Sequence, residues 1–171
     1  METEARRSSI AKTIKNARAP ISATALAQKF SVSRQIIVGD IALLRAEGAD
    51  ILATPKGYIM GANESTDHQY IGTVACQHDT ISMRDELYIM VDHGATVIDV
   101  TVEHTVYGQI TGQLDIQSRL DADEFMEKVL EKDAKPLSDL TGGIHLHRIG
   151  CSDKIVFDKI QVALREAGFL A

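Results

Sequence analysis

The sequence predicts an α+β fold in two domains, a small trihelical domain with a β-hairpin followed by a larger domain of order βαββαβ that carries one extra helix. Three observations predict it. Helical periodicity in the first third gives way to alternating strand and helix patterns in the rest. A small, polar stretch without periodicity, Gly61 to His68, lies between the two patterns. Charge changes sign at the same place: residues 1–60 carry nine Lys/Arg against five Asp/Glu, and residues 61–171 carry nine against nineteen. The expected domains are residues 1–62 and 69–171.

In the first domain Ile10, Ile14 and Ala17 recur at helical spacing between Glu4 and Arg18, and Pro20 ends that helix. Ser22 can cap a second helix with Leu26, Ala27 and Phe30 inward; Ser31-Val32-Ser33 turns the chain; Ser33 can cap a third helix to about Glu47, buried through Ile37, Ile41 and Leu44. A short helix, a tight turn and a longer helix opening on Ser-Arg-Gln is the layout of a helix-turn-helix. The segment Asp50 to Met60 reads as two strands around Pro55-Lys56-Gly57, a wing. Gly39 inside the third helix implies either a close backbone approach or simple tolerance.

The second domain reads as strand Tyr70–Gln77, helix Ser82–Asp92, strand Thr96–His104, strand Val106–Ile116, helix Asp121–Lys132, strand Ile144–Ile149 and helix Asp153–Ala167. This is the ferredoxin-like, split βαβ order. Right-handed crossovers are expected to pair strands one and two in parallel and to set strand four antiparallel beside strand one. The last helix, with Val156, Ile160, Ala163 and Ala167 on one side, suits either a dimer surface or a cover for the sheet.

At 44% hydrophobic and 25% charged residues the composition is that of a globular protein. No apolar run is long enough for a membrane span or a secretory signal, so a cytoplasmic location without membrane partners is expected. Cys76 and Cys151 lack CxxC spacing and are expected to be packed, idle thiols. Eight Tyr and Phe and no Trp are too few and too scattered for a single-strand stacking platform, so the basic domain points to double-stranded DNA. The start of the third helix places Ser33, Arg34, Gln35 and Val38 toward base edges, where Arg pairs with guanine and Gln with adenine. Lys56 on the wing and Arg6, Arg7 and Lys12 are expected to meet phosphates; the bland alternative is a packing or dimerisation module.

His145 and His147, two apart on a strand, leave the same face and can grip one ion, although such a pair is also common as plain surface or core polarity. The expected topology gathers more. The C-terminal ends of strands one and two, bearing His78 and His104, meet the start of strand four at one sheet edge, beside the first turn of the helix that carries Glu86. His68 and His93 are expected to be solvated.

Ser31-Val-Ser-Arg-Gln-Ile-Ile-Val, Ala53-Thr-Pro-Lys-Gly-Tyr, His78, Glu86, Val102-Glu-His-Thr-Val-Tyr-Gly and Gly142-Gly-Ile-His-Leu-His147 together resemble the nicotinate-responsive transcription repressors of bacteria. These join a winged helix-turn-helix to a 3H domain, and the resemblance covers nearly the whole chain. It implies repression of genes for nicotinate uptake and NAD synthesis, with nicotinic acid as co-repressor, and no enzymatic activity. It also implies that His78, Glu86, His145 and His147 hold a divalent transition metal, for which Zn, Ni, Fe and Mn all suit the donors. Such a site keeps two octahedral positions open and a net positive charge, which suits an anionic ligand. His104 or Tyr107 would then hydrogen-bond or stack on nicotinate, and Arg84 or Arg148 would meet its carboxylate; for Tyr107 simple packing at a strand start is an equal alternative. A homodimer on operator DNA is expected. Rival readings are a metal-responsive repressor and a metal-dependent hydrolase joined to a DNA-binding module.

Overall fold

A computed structural model of the chain describes residues 3–61, 68–132 and 134–171, so most of the expected inter-domain stretch lies outside the described residues. Two compact units result, Met1–Glu64 and Ser65–Ala171.

In the first unit α1 (Thr3–Lys15), α2 (Ala23–Phe30) and α3 (Arg34–Ala46) precede the hairpin of β1 (Ile51–Thr54) and β2 (Gly57–Met60). Both expected caps form. Ser22 accepts the amide of Ala25 at 3.1 Å and Ser33 that of Ile36 at 3.2 Å, which fixes where each helix starts. Between them Ser31 adopts the left-handed region at φ 54°, and its amide donates to the carbonyls of Ala27 and Gln28, turning the chain within three residues. Ile10, Ile14, Leu26, Ile37, Ile41, Leu44 and Ile51 make the core. Tyr58 of β2 exchanges two backbone hydrogen bonds with Ile21, at 2.9 and 2.8 Å, which seats the wing against the start of α2. Arg6 departs from expectation. Its guanidinium grips the buried Asp40 carboxylate of α3 at 2.7 and 3.1 Å, so it ties α1 to α3 instead of facing phosphate. Arg7 likewise leans toward Glu47, 3.6 Å away.

The second unit contains β3 (Tyr70–Gln77), α4 (Met83–Asp92), β4 (Thr96–His104), β5 (Gly108–Ile116), α5 (Arg119–Glu131), β6 (Ile144–Cys151) and α6 (Lys154–Glu166). The element order matches the expected βαββαβ plus helix. The sheet order is β3-β6-β4-β5, antiparallel throughout. Thus β6 does lie antiparallel beside β3, but the expected parallel pairing of β3 with β4 does not occur. Those two strands run in the same direction with β6 between them. The burial of β6 accounts for its place, since five of its eight residues are buried, as befits a central strand. Residues 105–107 form the turn of the β4–β5 hairpin, so β5 begins at Gly108.

Buried residues from α4, α5 and α6 share one core with the sheet, including Leu87, Met90, Val97, Ile116, Met126, Ile149, Ile160 and Leu164. Phe157, Ile160 and Leu164 turn α6 toward this core while Ile155 and Val162 stay exposed, so the helix covers the sheet. His68 is not simply solvated: its ring lies against Gly150, where any side chain would collide with it. His93 is exposed, as expected. Among the described residues no helix is long and apolar enough to cross a membrane.

Candidate functional site

The common direction of β3 and β4 and the reverse direction of β6 bring His78, just past β3, to the edge where β6 starts with His145 and His147. His145 stands opposite Cys76, and His147 lies between Val74 and Val100. From the helix side, the first turn of α4 inserts Glu86, which is completely buried. Asp79 caps the short 3-10 turn Thr80–Ser82 that leads into α4, accepting the amide of Ser82 at 3.0 Å.

The Glu86 carboxylate is the centre of the cluster. Its Oε2 lies 2.7 Å from His78 Nε2 and 3.4 Å from His147 Nε2, and its Oε1 lies 3.1 Å from His145 Nε2. Each imidazole is held from behind by a backbone carbonyl, which can only accept. Nδ1–H of His78 donates to Asp79 at 2.7 Å, that of His145 to Gly143 at 2.8 Å, and that of His147 to Asp99 at 2.8 Å. The tautomer is therefore settled at all three rings, and all three Nε2 atoms face the same small volume. Carbonyls or carboxylates behind metal-bound imidazoles orient them in this way. His78 Nε2 is buried and, despite its closeness to Glu86, is not aligned for a hydrogen bond with it. Three directed nitrogens and one carboxylate suit a divalent transition ion.

Electrostatics agree with the geometry. Burial by itself would raise Glu86, but the charge of His147, the hydrogen bond from His145 and the closeness of His78 hold it well below its ordinary range. Burial would lower His78 and His147, and Glu86 outweighs it, so both are raised.

The double glycine ahead of the histidine pair has a mechanical role. Gly143 adopts φ 91°, and a Cβ there would run into the carbonyl of His78, so only glycine lets the two histidine-bearing segments meet. Beside His78 opens a depression of about 700 Å³ lined by Gln77, Asp79, Thr80, Lys135, Asp139 and Gly142.

Four expected ligand contacts are not brought here. His104 stays in its own hairpin, its Nδ1 accepting the amides of Val106 and Tyr107 at 3.2 and 3.3 Å and its ring stacked on the exposed Tyr107. Arg148 is held by the buried Asp99 at 2.6 Å, and Arg84 faces Asp123 on α5 at 3.3 Å. One residue that received no role does arrive. Cys76 is fully buried beside Glu86 and His145, and the sequence gives no signal for it, because its place opposite His145 depends on a strand register that spacing alone does not set.

In the first unit Ser33, which caps α3, and Arg34, Gln35 and Val38 within it are all exposed, and Lys56 sits in the wing turn. Gly39 resolves in favour of open space, with no atom of the protein within 4 Å of where a Cβ would be. The outer face of α3 is thus free of packing duties, as a helix entering a major groove must be.

A capped, solvent-facing recognition helix with a wing, in a chain that also carries a buried three-histidine centre, defines a DNA-binding transcription regulator with a 3H domain. The chain belongs to that family: residues 71–171 match the 3H domain and residues 6–59 an HTH domain. It is 39% identical to the transcription repressor NadR of Bacillus subtilis (strain 168) over 92% of this chain and 88% of that protein. It is 38% identical to the probable transcription repressor NiaR of Thermotoga maritima over 95% of this chain and 91% of that one. The chain is accordingly a transcription repressor that binds operator DNA, not an enzyme, which sets aside the hydrolase reading.

Proposed function

We propose that this repressor acts as a cytoplasmic homodimer and shuts off genes of nicotinate uptake and NAD synthesis when nicotinic acid binds beside a metal ion in its second unit. The observation that carries the reading is the convergence of three carbonyl-held imidazoles on Glu86. His78, Glu86, His145 and His147 would hold the divalent ion, which when bound supplies an electrophilic centre for a pyridine nitrogen or a carboxylate. The depression beside His78 gives a small ligand room, and Lys135 on its rim is the natural carboxylate partner, because Arg84 and Arg148 are engaged by Asp123 and Asp99. Ser33, Arg34, Gln35 and Val38 would read bases and Lys56 a phosphate.

The ligand controls repression by binding the DNA-competent arrangement better than the alternative. A coupling of about 1–3 kcal/mol changes operator affinity roughly 5- to 150-fold. Calorimetric titration of nicotinic acid into metal-loaded and chelator-stripped protein tests this, with the double variant His145→Ala, His147→Ala alongside. Binding to the loaded form alone, and loss of both metal retention and ligand binding in the double variant, is the expected result. Full metal content in that variant sinks the metal reading, and no binding to either form sinks the effector. If the ion itself is the signal, repression will follow metal addition without nicotinic acid.

A further inference from the structure

Cys76 faces the histidine centre. In the β3–β6 pairing it stands directly opposite His145, and the alternation that turns His145 and His147 toward the helices turns Cys76 and Val74 to that same face. The residue is completely buried. Its sulfur, a Glu86 oxygen and a ring nitrogen of His145 all lie within 4.8 Å of one another. A second observation concerns the same carboxylate: the Nε2 of His78, whose side chain is 5% exposed, lies 2.7 Å from Glu86 Oε2 without an aligned hydrogen-bond partner. Cys151 provides the contrast. It is equally buried but opposite Tyr70, at the other end of the strand pair from His145.

We propose that Cys76 is a sulfur donor to the ion at this centre, extending the donor set to three imidazole nitrogens, one carboxylate and one thiolate. This rests on the metal reading given under Proposed function. A metal–sulfur bond forms, the S–H bond breaks and its proton leaves to water; nothing is oxidised or reduced. One carboxylate and one thiolate balance the charge of a divalent ion, so the centre is neutral instead of singly positive. A thiolate also moves preference away from Mn²⁺ toward zinc, cobalt and nickel, because sulfur is the softer donor.

Cobalt(II) added to the chelator-stripped full chain tests the assignment, since a cobalt–sulfur bond produces an intense near-ultraviolet charge-transfer band that nitrogen and oxygen donors do not. The expected outcome is a band in the wild-type protein and in Cys151→Ser that is lost in Cys76→Val and Cys76→Ser, while cobalt still binds. The zinc-loaded wild type should also show a sulfur neighbour at about 2.3 Å by X-ray absorption, a measurement that does not depend on either Cys76 variant folding. Cobalt bound without the band, a band that survives in Cys76→Val, or a zinc shell without sulfur overturns the proposal and leaves the four-residue metal site intact. Failure of the wild type to bind cobalt or zinc at all overturns both.

Discussion

Asp40 in the first unit and Glu86 in the second are both buried carboxylates, and they are treated in opposite ways. Asp40 meets one guanidinium fork, and both of its oxygens are taken by Arg6. Glu86 meets three imidazoles, one of which lies 2.7 Å away without hydrogen-bond alignment. The first is a closed pair that joins two helices. The second gathers three directed imidazole nitrogens around one carboxylate, one of them without an aligned hydrogen bond, and carbonyls lock each ring so that it cannot turn away. Burial of charge alone therefore does not mark a site; a surplus of oriented donors does.

The comparison can be broken at Gly143. Because Gly143→Ala needs an unfavourable φ and pushes on the His78 carbonyl, it should weaken metal binding by about 10- to 100-fold, as loss of outer support does at metal sites. Competition against a chromophoric chelator measures this; unchanged metal affinity would mean that the meeting of the two segments is irrelevant to the site.

Arg34 and Arg6 sharpen the other half. Arg34→Ala, which deletes a base-reading fork, should lower affinity for operator by about 1–3 kcal/mol and relax discrimination at one base pair. Arg6→Ala should lower the thermal midpoint of the first unit while leaving the salt dependence of DNA binding unchanged, since its charge serves Asp40. Fluorescence anisotropy across a salt series separates the two. A flatter salt slope in Arg6→Ala would return that residue to the phosphate-contacting set.

The smallest expected effect is in pH. A histidine raised above its ordinary 6.5 in the folded state contributes stability that is complete below 6.5 and is lost as pH climbs through the raised value. Glu86, held below its ordinary 4.5, contributes above that value and loses it as pH falls. Metal-free protein should thus have its firmest second unit between these two values and soften above them. Metal-loaded protein should firm over the same rise, because protons then compete with the ion for the same nitrogens. Urea midpoints of both forms across this range give slopes of opposite sign; parallel slopes would separate the histidines from metal binding.

The helices, the wing, the strand sequence of the second unit and the residues Glu86, His145 and His147 were legible because periodicity and caps are local properties. Ser22 and Ser33 announce their helices within four residues, and an HxH spacing leaves a strand on one face whatever its neighbours. His104 was misplaced for a physical reason. The pattern predicts that the two strands sharing a direction are neighbours, whereas β6 separates them, and the His104 ring satisfies itself within its own hairpin turn. The role of Arg6 is not visible in local spacing, because its partner Asp40 lies 34 residues away on the buried side of α3.

By itself the chain determined which segments are helix and strand, where the charge divides, and that His145 and His147 leave one face of their strand, since these follow from spacing and composition. Only the tertiary structure decided strand order, the partner of each buried charge, and the arrival of Cys76 beside His145. Those depend on which distant residues face one another across a sheet, and a strand's own alternation states its faces but never its neighbours.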